Sequence, residues 1–150
     1  MSAESTATCF VIMPIRKEGT EEFQYFRALH DTVITPALKE LGYQVTRADD
    51  VAALGSIAAD VVKRLAIADI VIADLSDLNA NVFYELGYAD GLGKRVIVTA
   101  KHGTELPFDV KDIPTIFWRG QKQLKDDLTA RIRKVVKTAV SSAAPPIGSA

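Results

Sequence analysis

Two stretches of this chain are apolar without alternation: Cys9-Phe10-Val11-Ile12-Met13-Pro14-Ile15, and Ile70-Val71-Ile72-Ala73 between Asp69 and Asp74-Leu75. A strand with one face in water alternates apolar and polar residues, so an unbroken run requires cover on both faces. Central strands of a parallel sheet meet that condition because crossover helices lie on either side. The rest of the chain supplies the crossovers. A helix is expected from about Thr20 to Leu41, with Phe23, Phe26, Leu29, Val33 and Leu38 in helical phase. Pro36 should kink or restart it, with Thr35 as cap and Gly42 as stop. Tyr43–Ala48 alternates and reads as a less buried strand. Ser56 can cap a short helix carrying Ile57, Val61, Val62 and Leu65.

A third helix opens at Asn79 or Asn81 and stops at Gly93. Strands over Arg95–Ala100 and Ile113–Trp118 follow, then a final amphipathic helix from Gln121 to about Val140. Repeated strand–helix units with right-handed crossovers give a flavodoxin-like α/β three-layer sandwich, its five parallel strands ordered 2-1-3-4-5. The chain has 150 residues, the usual size of one domain. Residues 1–8 read as a flexible arm, 9–140 as the folded domain and 141–150, with Pro145-Pro146, as a disordered tail.

Charge and cysteine content narrow the partners. A net charge of −1 gives no reason to expect nucleic acid or an anionic membrane. Cys9 is the single cysteine and cannot form an internal disulfide, and no Cys/His cluster suits zinc, so no metal is expected. Met1–Thr8 lacks a basic start and the following apolar run is too short to be a signal or a membrane span. A cytoplasmic protein is the expectation.

In the order 2-1-3-4-5 the winding reverses between strands one and three, and ligands bind above the C-terminal ends at that point. The rule selects Pro14, Ile15 and Arg16 from strand one, Asp49 from the end of strand two, and Asp74 and Ser76 from strand three. From the next helix it selects Asn79, Asn81, Tyr84 and Glu85. Glu85 lies four residues after Asn81, on the same helix face, while Val82, Leu86 and Ala89 must face the sheet. It is thereby held at the border of core and crevice, although a carboxylate early in a helix can also simply complement the dipole. Asp74 has two readings: a loop cap accepting backbone N–H groups, or a partner of a ribose hydroxyl or base. Asn79 and Asn81 are cap candidates, with Asn81 the better site candidate. Arg16 and Lys17 can meet a phosphate, while Tyr25, Tyr43 and Tyr84 read chiefly as packing residues.

Some sites are excluded. Strand one runs into Pro14-Ile15-Arg16-Lys17-Glu18-Gly19, with no GxGxxG or GxxxxGK[ST], so dinucleotide binding of the Rossmann kind is not expected. A response-regulator receiver shares the strand order but needs an acidic pair after strand one and a lysine ending strand five. This chain has neither.

The stretch from Ala73 to Ala89, continuing to Gly93-Lys94-Arg95-Val96, resembles the nucleoside 2-deoxyribosyltransferase-like family and its TIR-like relatives. There an aspartate closes strand three and a Glu-x-Gly-x-Ala pattern lies on the following helix. Asp74 and Glu85-Leu86-Gly87-Tyr88-Ala89 match. Phe10–Pro14 and Pro107-Phe108-Asp109 look like the TIR-like branch. Typical deoxyribosyltransferases carry a Gly-Thr-like pair before the glutamate, where this chain has Asn79-Ala80-Asn81, so the sugar is left open.

The resemblance implies cleavage or transfer at an N-glycosidic bond of a nucleoside, a nucleotide or NAD, the last as substrate and not as cofactor. Glu85 and Asp74 are the candidate catalytic residues. Glu85 would stabilise or capture the ribosyl cation, Asp74 and Asn81 would orient sugar or base, and Arg16 would hold a 5′ phosphate. A non-catalytic nucleotide sensor and a TIR-like assembly module, with a role in bacterial defence, are the alternatives. A homo-oligomer is expected, with Leu106-Pro107-Phe108 and the tail as candidate contacts.

Overall fold

The computed structural model describes residues 7–13, 19–47, 57–107, 110 and 113–141. Five strands form one sheet: β1 (Ala7–Ile12), β2 (Tyr43–Arg47), β3 (Ile70–Asp74), β4 (Val96–Lys101) and β5 (Thr115–Trp118). Every pairing is parallel and the order is β2-β1-β3-β4-β5, as the apolar runs require. β3 is buried at all five positions.

The pleat divides the core into two layers. Cys9, Val11, Ile70, Ile72 and Ile97 point to one face. There they meet α1 (Glu21–Leu29), α2 (Thr35–Glu40) and α5 (Gln121–Ser141), through Leu29, Leu38, Leu124 and Leu128. Phe10, Ile12, Val71, Ala73 and Val98 point to the other face, which α3 (Ile57–Ile67) and α4 (Ala80–Gly91) cover with Leu65, Val82, Leu86 and Ala89. Each large buried side chain contributes about 1.5–3 kcal/mol by leaving water.

Several boundaries differ from the sequence reading. β1 starts at Ala7, within the stretch read as an arm, because Thr8 N–H donates to Asp69 Oδ2 at 2.7 Å and Ala7 pairs with Tyr43. The helical path does not restart at a Thr35 cap. A π-helical turn, His30–Ile34, joins α1 to α2, and the residue preceding α2, Ile34, is helical with no side-chain cap. Pro36 stands in the first turn of α2, and the wide turn before it makes room for its ring, so the helical path continues past a residue with no amide to donate. The Thr35 hydroxyl lies 3.3 Å from His30 Nδ1 instead. Gly42 and Gly93 do stop their helices, both in the left-handed conformation that favours glycine. Ser56, Ala48 and the residues beyond Ser141 lie outside the described residues.

Candidate active site

The winding reverses at the C-terminal ends of β1 and β3, where β3 delivers Asp74. Its side chain is fully buried, and donors crowd it. Oδ1 accepts Ser76 N–H at 3.0 Å; Oδ2 accepts Thr99 Oγ1 at 2.7 Å and Trp118 Nε1 at 3.2 Å. The Ser76 hydroxyl adds a further donor. Burial pushes the carboxyl upward from its ordinary value, and these hydrogen bonds pull it back toward the ionised form. Four donors meet the acceptor capacity of one carboxylate. Asp74 therefore ties the ends of β3, β4 and β5 together beneath the crevice. Ser76 Oγ extends the tie by accepting Lys101 N–H at 2.8 Å.

The loop then turns through Leu78, an exposed residue with φ 49°, a left-handed conformation that costs a leucine about 1–2 kcal/mol. Asn79 follows as the cap of α4, its Oδ1 accepting the N–H groups of Asn81 at 2.9 Å and Val82 at 3.3 Å. Asn81 is exposed on the first turn.

Glu85 is one turn further along. Val82, Leu86 and Ala89 pin the helix to the sheet, and this phase draws Glu85 to 7% exposure. Among the described residues its carboxyl receives no hydrogen bond and faces no cation. Desolvation alone pushes it up to about 7. A buried carboxyl with no partner is rare because its charged form pays for lost hydration with nothing in return.

Tyr84 is 69% exposed. Glu85, the next residue along the helix, is buried, so the two side chains differ in environment. Pro14, Ile15, Arg16 and Asp49 lie outside the described residues, as does Phe108, while Leu106 packs against the core.

Sequence reasoning missed a layer on the other face of the sheet. Trp118, bonded to Asp74, stacks on Tyr25 with centroids 6.3 Å apart and planes 24° apart, and Lys101 Nζ stands 5.9 Å from the centroid of the Tyr25 ring. Burial raises the Tyr25 phenol, with Asp74's charge adding to it. Thr99, a polar residue inside the run Val96–Ala100, was the one available signal.

A concavity of about 380 Å³ lies between β5 and α5, lined by Thr115, Phe117, Asp127, Arg131 and Lys134. None of the candidate residues touches it. Among the described residues no group of His, Cys, Asp or Glu is placed to hold a metal ion, and no helix is long and apolar enough to cross a membrane.

No protein-family model matches the chain, and no curated protein is similar to it by sequence. Solved structures do share its fold. A CMP N-glycosidase of Clostridium botulinum, BcmB, superposes with a TM-score of 0.62 at 16% identity, over 83% of this chain and 98% of its own. A 2-deoxyribosyltransferase of Leishmania mexicana gives 0.53 at 18%, over 83% and 97%. One of Bacillus psychrosaccharolyticus gives 0.62 at 16%, over 82% and 90%. At 16–18% identity these likenesses are likenesses of fold.

Proposed function

We propose that this chain breaks or transfers the N-glycosidic bond of a nucleoside or nucleotide, with Glu85 as the carboxylate facing C1′ of the sugar. The observation that carries the reading is the buried carboxyl of Glu85, without a partner among the described residues, within a Glu-x-Gly-x-Ala pattern beside the point where the sheet's winding reverses. Departure of the base builds positive charge on the ribosyl ring. A carboxylate without hydrogen bonds and away from water is poorly stabilised until that charge develops, so the attraction is concentrated in the transition state. Capture of C1′ by the same oxygen gives a glycosyl-enzyme. Water then completes hydrolysis, or a second base completes transfer.

In this reading Asp74 acts from beneath. With its acceptors engaged by Ser76, Thr99 and Trp118, it fixes the floor and the start of α4 rather than touching substrate. Asn81, exposed one turn before Glu85, is assigned to a sugar hydroxyl, and Arg16 to a 5′ phosphate. The activities of the structural neighbours, CMP N-glycosidase and 2-deoxyribosyltransferase, support the bond and span both ribosyl and deoxyribosyl substrates.

The test is to incubate the purified chain with ribo- and deoxyribonucleosides, their 5′-monophosphates and NAD, singly and with a second base, and to separate the products by chromatography. Free or exchanged base from a nucleoside or monophosphate is the expected result. Absence of base release from every substrate would overturn the reading, and release from NAD alone would move the substrate class to dinucleotides.

A further inference from the structure

The concavity between β5 and α5 has the size and the lining of a ligand site of its own. Its volume of about 380 Å³ falls within the range of small-molecule pockets. One wall is β5, the outermost strand on that side of the sheet. The other is a stripe of α5 made by Asp127, Ala130, Arg131 and Lys134, spaced three or four residues apart and so on one face of the helix.

The β5 wall offers little to another strand. An edge strand invites pairing through its outward N–H and C=O groups. This one is four residues long, and the Phe117 carbonyl already accepts Gln123 Nε2 at 3.0 Å. Recognition therefore falls to the side chains of α5.

Those side chains separate charge along the groove. Elsewhere on α5 Lys122 bridges Asp126, four residues on, at 2.8 Å, and Lys125 reaches Glu40 at 3.1 Å. Asp127 and Arg131 have the same spacing, but Asp127 accepts from Gln123 Nε2 at 3.1 Å, and among the described residues the two do not bridge. The small side chain of Ala130 leaves the groove open beside them. Arg131 is half-buried there, where a charge needs acceptors. Its planar fork of donors matches phosphate in a bidentate manner, and Lys134, one turn on, adds positive charge. Asp127 stands about 6 Å from Arg131 along the helix axis, at 1.5 Å per residue. The groove thus has a cationic end and an acceptor end.

We propose that this groove binds a small phosphate ester, with its phosphate on Arg131 and Lys134 and a hydroxyl or amino group at its other end donating to Asp127. Two sources share that chemistry, a sugar phosphate and a nucleoside monophosphate. The site is separate from the crevice, since none of the residues assigned to base cleavage lines it.

Calorimetric titration of the full chain at low salt tests this, with ribose 5-phosphate, adenosine 5′-monophosphate and inorganic phosphate as probes. All titrations carry Glu85→Gln, so that no ester is cleaved during them. Arg131→Met, Lys134→Met and Asp127→Asn are compared with Arg133→Met, a control at an exposed position that does not line the groove, and circular dichroism checks each fold. The expected result is ester binding that weakens about 10–100-fold in Arg131→Met, the size of a charged hydrogen-bonded contact, and stays unchanged in Arg133→Met. The ester bound more tightly identifies the source. No binding of any probe, or affinities that Arg131→Met and Lys134→Met leave unchanged, would overturn the proposal. Equal weakening by Arg133→Met would reduce the effect to net charge and overturn it too. Inorganic phosphate bound as tightly as the esters, with Asp127→Asn silent, would overturn the assignment to an ester. Base release by the wild type, measured separately, bears on the proposed function alone.

Discussion

Replacing Glu85 by Gln should stabilise the protein in a manner that depends on pH. The carboxyl is pushed from 4.5 to about 7 by burial. A carboxyl raised on folding contributes no penalty below its unfolded value, since it is then protonated in both states. As pH rises toward the folded value the unfolded chain ionises and the folded one resists, so stability falls; above about 7 the penalty is complete. At about 1.4 kcal/mol for each pH unit between the two values, the full penalty is roughly 3 kcal/mol, or about 2–3 kcal/mol once residual water around the carboxyl is allowed for.

Glutamine carries its own cost as a buried amide, but that cost does not change with pH. The difference in stability between variant and wild type should therefore move in the variant's favour by about 2 kcal/mol from about pH 5 to about pH 8. In a domain of this size that corresponds to roughly 4–8 °C in the thermal midpoint. Melting curves of both proteins, followed by circular dichroism across that range, give the comparison directly. A difference that stays constant with pH would refute the claim that Glu85 is desolvated and, among the described residues, unpartnered. A difference moving the opposite way would mean that an unrecognised cation pairs with it.

Two further outcomes concern the floor and the cap. Thr99→Val removes one donor from a fully buried carboxylate and should cost about 1–3 kcal/mol in denaturant unfolding, with a change in emission from Trp118, the chain's single tryptophan; unchanged stability would show that the Asp74 network is dispensable. Asn79→Ala removes the acceptor for two amides at the start of α4 and should cost about 1 kcal/mol in the same assay, whereas no loss would mean that water replaces the cap fully.

Much of the fold was legible because burial on both faces leaves a mark in the sequence. The apolar runs at Phe10–Ile12 and Ile70–Ala73 identified the central strands, and with β2 at the edge they set the order. Contacts distant in sequence left no such mark. Ala7 and Thr8 carry no apolar pattern, and β1 begins there only because Asp69, 61 residues on, receives the Thr8 amide. The π turn before Pro36 likewise depends on packing that local propensity does not encode.

The site divides in the same way. The helix phase that draws Glu85 inward was readable from Val82, Leu86 and Ala89, all local. The fate of Asp74 was not, because Thr99 and Trp118 reach it from 25 and 44 residues away. Those two side-chain donors add a role that neither reading contained, a tie between the ends of β3, β4 and β5. The exposure of Tyr84 and Tyr88 was hidden because an aromatic residue at helical spacing reads as core.

The central claim is that the Glu85 carboxylate acts on the sugar, and it is tested most directly by the pH dependence of base release in wild type and Glu85→Gln. With the carboxylate as the working form, wild-type kcat/KM should rise with pH and level off above about 7. The variant should be at least about 100-fold slower and lack that rise. Near-normal turnover in Glu85→Gln, or a wild-type rate that falls as pH passes through about 7, would contradict it.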